Sequence, residues 1–264
     1  MTFDPRLALA ALLTLAACAD GKDGDDDPSD TDTTDTTDTT DTTDTTDTTD
    51  TTDTEDTDDG DPTVQHQQFT LRDYSTSALI SGLTVSYGDQ AVTSGADGIV
   101  SLEFPLDAQV RVDVEGDGYP TSHIYRWTGI QDNHSTLTVV SDATLDLLSG
   151  ALQIPRDPTK AIVAIEVALW DGVTAGDTIV GATISLDAAS DVSLVADPAS
   201  PYGISPGATT LEGGTGQVIF VNVTPGTITP TITLPDGIVC THGEASSEAI
   251  AGEYTLHEFS CNEE

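Results

Sequence analysis

Two cysteines and two histidines near the end of the sequence are the side chains best suited to chemistry. Cys240 precedes His242 by two positions, and His257 precedes Cys261 by four. Thiolate sulfur and imidazole nitrogen are zinc ligands, but this spacing is not that of a standard zinc finger. In an oxidising compartment the cysteines would form a disulfide that closes a loop of about 20 residues and stabilises the fold by roughly 3 kcal/mol. We expect this disulfide; a Cys₂His₂ zinc site and free or intermolecular thiols are the alternatives.

The segment from Gly203 to Gly207 contains the pattern Gly-x-Ser-x-Gly. In some hydrolases this pattern places a nucleophilic serine on a sharp turn between a strand and a helix, and the next backbone N–H stabilises the oxyanion. Here the next residue is Pro206, which has no N–H. Prolines also precede the serine, and no helical pattern follows it. We therefore predict that Ser205 lies in a proline-rich loop and is not a nucleophile.

The other histidines and the tryptophans show no metal-ligand spacing. His66, His123 and His134 fall on predicted strand edges or loops, so we expect them at the surface, and the sequence contains no His-x-x-Glu pair. Trp127 and Trp170 end apolar strands and are expected in the core or at its rim, not as sugar-binding platforms. The sequence thus predicts no catalytic residue, no cofactor and no metal site, and a protein that is not an enzyme.

The charge balance excludes one class of partner. The 264 residues contain 46 Asp and Glu against 7 Lys and Arg, a net charge of −39. Nucleic-acid binding requires Lys and Arg to replace condensed counterions, so we predict no nucleic-acid partner. The same charge would repel an anionic lipid surface.

The first 18 residues have the pattern of an export signal. Arg6 is followed by an apolar run that is too short for a bilayer span of about 20 residues but suits a signal-peptide core. The run ends in Leu15-Ala-Ala-Cys18, which resembles the lipobox of bacterial lipoproteins. The resemblance implies a signal peptide over residues 1–17, diacylation of Cys18, and an acyl anchor in the cell envelope, in the outer membrane, with the periplasmic or surface face left open. The alternative is an ordinary signal peptide cut after Ala19.

Residues 18–62 are predicted to form a disordered acidic tether. Seven consecutive Thr-Thr-Asp triplets run from Thr33 to Asp53, with Asp-rich segments on both sides. No apolar periodicity is present, so nothing here can be buried against a core. We interpret the segment as a spacer; its carboxylates could also collect divalent cations diffusely, and its threonines resemble O-glycosylation acceptors of some bacteria.

The remaining residues must supply the folded elements. Short runs of alternating apolar and polar residues, broken by Gly, Asp and Pro, predict an all-β fold. We place one β-sandwich at 63–141, a short helix and connector at 142–159, and a second β-sandwich at 160–264. The helix is predicted over Asp142–Ser149 with Ser141 as its N-cap, and an apolar run over Ile162–Leu169 predicts a buried central strand.

The two predicted sandwiches repeat one order of elements. Gly82-Leu-Thr-Val-Ser86 corresponds to Gly181-Ala-Thr-Ile-Ser185, and a Thr segment, a Gly turn and apolar strands follow each. Together with Val112, Val114 and the pair Gly118-Tyr119, this order resembles the carboxypeptidase regulatory-like, transthyretin-type β-sandwich. The resemblance implies two tandem transthyretin- or Ig-like sandwiches and says almost nothing about activity. The second unit lacks the Gly-Tyr pair and has a longer segment at 187–206.

These features predict a non-catalytic, lipid-anchored cell-envelope protein that presents β-sandwich modules for structural, adhesive or binding roles. Its expected partners are the membrane, through the acyl anchor, and a protein or glycan of the envelope. The alternative is an envelope ligand-binding protein or hydrolase with a site built from loops such as 187–206 or 119–134. That alternative predicts a concave pocket where several carboxylates and a histidine converge and where a carboxyl pKa is raised.

Overall fold

The computed structural model describes residues 63–170 and 175–263. The predicted signal peptide, the lipidation site Cys18 and the tether up to residue 62 lie outside the described residues. No helix within the described ranges is long and apolar enough to cross a membrane.

The described chain is mostly strand, as the alternating pattern predicts. The first half contains β1 (Val64–Asp73), β2 (Thr84–Tyr87), β3 (Gln90–Thr93), β4 (Ile99–Pro105), β5 (Gln109–Gly116), β6 (Tyr119–Trp127), β7 (Asn133–Val139) and the helix α1 (Asp142–Leu152). The second half contains β8 (Ala161–Trp170), β9 (Ala175–Thr178), β10 (Thr183–Leu186), β11 (Val192–Ala196), β12 (Ile204–Pro206), β13 (Gln217–Val223), β14 (Gly226–Ile228), β15 (Pro230–Thr233), β16 (Ile238–His242), β17 (Ser247–Ala249) and β18 (Tyr254–Glu263).

The helix forms where its capping signal predicts. The Ser141 side chain accepts a hydrogen bond from the backbone N–H of Thr144 at 3.2 Å, which satisfies one of the unpaired donors of the first turn. The helix ends at Gln153, which adopts the left-handed conformation (φ 57°) as a C-cap. It is three residues longer than the predicted Asp142–Ser149.

One large sheet runs through both halves of the described chain. Its order is β12-β11-β13-β8-β18-β6-β5-β2-β3, with β9 beside β8 and β16 beside the far end of β18. The strand β18 joins the halves because it pairs in parallel with β6 of the first half and with β8 of the second. The tandem sandwiches therefore share a sheet, a feature that the sequence pattern does not reveal.

Each half buries its own core, on opposite faces of the large sheet. The three-stranded sheet β4-β1-β7 covers one face and encloses a core that includes Phe69, Leu71 and Phe104. The small pairs β10-β15 and β14-β17 belong to the second half, whose core includes Ile165 and Ile184. Over the described residues the all-β fold class is confirmed, with two β-sandwiches and one helix.

Alternation along β8 explains how one strand serves both faces. Val163, Ile165 and Val167 are fully buried in the second core, whereas Ala164 belongs to the first. Successive side chains of a strand point to opposite faces, so Glu166 faces the side of Ala164. The predicted central strand at 162–169 is confirmed, and it carries a single ionisable residue.

Candidate functional site

Four polar side chains form a row across four adjacent strands of the large sheet. Gln217 of β13 is the direct partner of Glu166 of β8, and Glu166 is the direct partner of Glu258 of β18. Arg126 of β6 continues the row, since β6 lies on the other side of β18. In-register partners on one face lie close together, so the row places two carboxyl groups side by side.

The ends of this row are held by polar contacts. Gln217 Nε2 donates a hydrogen bond to Glu166 Oε2 at 2.5 Å, and Arg126 Nε lies 3.5 Å from Glu258 Oε2. Arg126 is only 7% exposed; its Nη1 donates to Ser135 Oγ at 3.4 Å, and its guanidinium carbon lies 5.3 Å from the centre of the Phe69 ring. Arg126 is thus packed against the first core while it faces Glu258.

The environment of Glu166 favours its neutral form. Burial raises the pKa of Glu166 to about 7, and the neighbouring charge of Glu258 acts in the same direction. The hydrogen bond from Gln217 and the charge of Arg126 oppose this rise and only partly offset it. Glu166 therefore retains its proton in a large fraction of molecules near neutral pH.

A cleft of about 330 Å³ opens beside the carboxyl pair, and we refer to it as the carboxyl cleft. Leu145, Leu148 and Leu152, which repeat along one face of α1, form one wall. The face of β8, β13 and β18 forms the opposite wall, with Ile219 beside Glu166 and Glu258. The cleft therefore combines an apolar lining with two convergent carboxyl groups, which is the general composition of small-ligand sites.

The carboxyl pair also borders a second cavity, of about 400 Å³. Glu166 and Glu258 line it as well, together with His134, Trp127 and Trp170. The carboxyl pair thus belongs to the lining of a mainly apolar cavity and of a more polar one. Trp170 and Trp127 are half-buried and lie at the rim, as predicted.

The predicted disulfide is present. Cys240 and Cys261 are bonded to each other and are direct partners of the antiparallel strands β16 and β18. The alternative zinc set is therefore not assembled, because both thiols are oxidised. His242 instead stacks on Trp127 with ring centres 4.2 Å apart.

His257 lies in the interior of the sheet. It is 0% exposed, and its ring stacks on Tyr125 at 4.7 Å between ring centres. Burial lowers the pKa of His257 to about 4, partly opposed by a backbone hydrogen bond at Glu244. This histidine is therefore neutral over most of the physiological range.

The prediction that His123 is a surface residue is wrong. It is 5% exposed, and its Nδ1 lies 2.6 Å from Asp113 Oδ1 while its Nε2 lies 2.5 Å from Glu253 Oε2. Two ionised carboxylates can only accept, so both ring nitrogens donate and the ring is an imidazolium. The hydrogen bond to Asp113 raises the pKa of His123; burial opposes this rise, and the bond to Glu253 supports it. His66 and His134 are exposed, as expected.

The serine of the Gly-x-Ser-x-Gly pattern lies on a strand and not in a loop. Ser205 belongs to β12 and pairs with Val195 of β11, because the edge of the large sheet accepts a short strand at this point. The next element after β12 is β13, so the strand–turn–helix arrangement of a nucleophile elbow is not formed.

Sequence reasoning missed the carboxyl pair. Glu166 interrupts the apolar run of β8, and a lone carboxyl group in a buried strand is the signal that could have marked it. Glu258 gives a weaker signal, because its strand already contains polar residues. Within the described ranges, no group of three or more His, Cys, Asp or Glu residues is placed to hold a metal ion.

The comparisons with known proteins give no family. No family model matches the chain, and no curated protein does. Among solved structures, the chain is similar to the Bacillus anthracis TIE protein at 18% identity and a TM-score of 0.25, over 76% of this chain and 34% of that one. It is also similar to the shaft pilin SpaA of Lactobacillus rhamnosus GG (10% identity, TM-score 0.25, 75% of this chain and 98% of that one). GBS52, the minor pilin of Streptococcus agalactiae, matches at 9% identity with a TM-score of 0.28, over 76% of this chain and 96% of that one. The chain spans about a third of the TIE protein, and the fold assignment rests on the strand pairing described above.

Proposed function

We propose that this chain is a lipid-anchored protein of the cell envelope whose β-sandwich body is a non-catalytic binding module. The observation that carries the binding role is the carboxyl cleft, an apolar concave site with two ionisable groups on its wall. The anchor is supported by the lipobox-like sequence ending at Cys18, and the acidic segment that follows would hold the body away from the membrane.

The alternative interpretation of the sequence predicts a ligand-binding site in which a carboxyl pKa is raised. That feature also supports a binding role. The cleft takes Leu194 and Ile204 from the segment 187–206 and Ile124 from the segment 119–134. Its carboxyl groups, however, stand on the paired strands β8 and β18, which fix their positions more firmly than loops would.

The binding role is tested with a small neutral fluorophore, 4-(dimethylamino)benzonitrile, whose emission rises when it leaves water. Leu145→Trp fills the cleft from α1, and Leu147→Trp is the matched control because Leu147 is 52% exposed on the same helix and does not line the cleft. We expect enhanced emission with the parent and with Leu147→Trp, and its loss with Leu145→Trp. Equal emission from both variants, or none from the parent, would overturn the binding role.

The anchor is tested separately by growth with a clickable acyl analogue. We expect label on the parent and none on Cys18→Ser. An unlabelled parent that still loses its first residues would show an ordinary signal peptide instead.

A further inference from the structure

The carboxyl pair is incompletely balanced by the side chains around it. When both Glu166 and Glu258 are ionised, Arg126 is the one cation of the row and leaves one net negative charge. Arg126 stands on the far side of Glu258, where Ser135 and the Phe69 ring also hold it. Glu166 receives a hydrogen bond from the neutral amide of Gln217, so its charge is stabilised by a dipole and not by an ion pair.

Resting on the proposed binding role of the cleft, we infer that its ligand is an organic ammonium ion with an apolar body, seated with the nitrogen at Glu166 and Glu258. An ammonium group has three N–H donors and no acceptor, which matches a pair of carboxylates that only accept. The chain attached to the nitrogen would lie along the leucines of α1 and Ile219. At about 30 Å³ for a water-sized group, the cleft holds roughly ten non-hydrogen atoms.

Other ligand classes fit these residues less well. When both carboxyl groups are ionised, an anion would meet a net negative wall, and a neutral apolar molecule would bring no cation to balance the pair. Magnesium and calcium need six or more oxygen ligands, and no group of three or more His, Cys, Asp or Glu among the described residues is placed to hold a metal ion. The net charge of −39 would also draw cations towards the protein.

Binding of an ammonium ion should displace the proton that Glu166 retains in the absence of a ligand. The other ionisable groups that line the two cavities are Tyr74, Arg126, His134, Arg156 and Tyr254. Arg156 is already paired with Asp142 at 2.8 Å, and burial raises the pKa of Tyr254, so this phenol stays neutral. Because the pKa of Glu166 is raised to about 7, we expect affinity to increase about tenfold between pH 6 and pH 8.

The test compares three ligands of one length, octylammonium, octanol and octanoate, by isothermal titration calorimetry below their micelle concentrations. We expect octylammonium to bind about tenfold or more tightly than octanol, and octanoate to bind least. Glu166→Gln should remove the preference for octylammonium while octanol binding stays unchanged. Glu115→Gln is the matched control, because Glu115 is exposed on β5 and its replacement changes the net charge equally.

The outcomes separate this inference from the proposed function. Equal affinity for octylammonium and octanol, or equal losses in Glu166→Gln and Glu115→Gln, would overturn the ammonium ligand and leave the binding role standing. No binding of any of the three, together with no fluorophore emission, would overturn both. Unfolding curves check that Glu166→Gln folds, and Glu258→Gln repeats the test from the other carboxyl group.

Discussion

His257 offers the most direct test of the electrostatics inside the shared sheet. It is fully buried, it stacks on Tyr125 and Phe259, and burial lowers its pKa to about 4. The substitution His257→Phe keeps an aromatic ring of similar size at this position. It removes the imidazole whose protonation would place a charge in the buried interior of the sheet.

The expected magnitude follows from the two pKa values. In the unfolded chain a histidine binds its proton near pH 6.5, whereas the folded protein resists protonation of His257 until about pH 4. The unfolded state therefore binds more protons within this window, and stability falls as the pH is lowered through it. At 1.36 kcal/mol per pKa unit, His257 lowers the unfolding free energy of the parent by about 3 kcal/mol between pH 7 and pH 4.

The assay is urea unfolding of the parent and of His257→Phe at several pH values across this window. The difference in unfolding free energy should shift by about 3 kcal/mol in favour of the variant as the pH falls. Phe259→Leu is the packing control, since it changes the same aromatic stack without altering a titrating group. It should lower the unfolding free energy by the same amount at every pH. A difference between His257→Phe and the parent that stays constant with pH would refute the reasoning.

Three further substitutions test other contacts. Replacing both Cys240 and Cys261 by alanine should lower the unfolding free energy by about 3 kcal/mol, because the bond closes a loop with a sequence separation of 21 residues; no loss in urea unfolding would contradict this. His123→Asn should lower the unfolding free energy most below pH 6.5, and progressively less as the pH rises through the raised pKa of folded His123. This pH dependence is opposite to that expected for His257, and melting temperatures measured over a pH series would show it. Gly216→Ala should lower the unfolding free energy by about 1–3 kcal/mol more than Gly118→Ala. Both glycines have positive φ, but only at position 216 would a Cβ lie 2.6 Å from a backbone oxygen, and equal melting temperatures would contradict this expectation.

Local signals in the sequence predicted the main elements of the fold, although they missed the short strand β12 and the last turn of α1. Alternation predicted the all-β class, the serine at 141 predicted the start of the helix, and the apolar run at 162–169 predicted a central strand. These features depend on residues that are close in sequence, so periodicity and capping chemistry report them. The disulfide was predicted from the even pair of cysteines that remains once Cys18 is assigned to the predicted export signal.

The shared sheet and the carboxyl pair depend on contacts between distant residues. Glu166 and Glu258 become neighbours only because β18 pairs in parallel with β8, and nothing in either strand specifies that partner. His123 was misassigned for the same reason, since Glu253 reaches it across a separation of 130 residues. A polar residue in a strand is normally read as solvent-facing, and only tertiary pairing reverses that reading.

The position of β18 has a consequence for the order of folding. This strand follows all other described strands in the chain, yet it inserts between β6 and β8 near the middle of the sheet. Until it arrives, both neighbours present unpaired N–H and C=O groups, which are templates for association with other chains. Pairings of such long range also form slowly. A nascent chain in which β18 has not yet been synthesised would therefore expose two unpaired strand edges that are prone to association. We expect it to depend on chaperones until β18 pairs with β6 and β8.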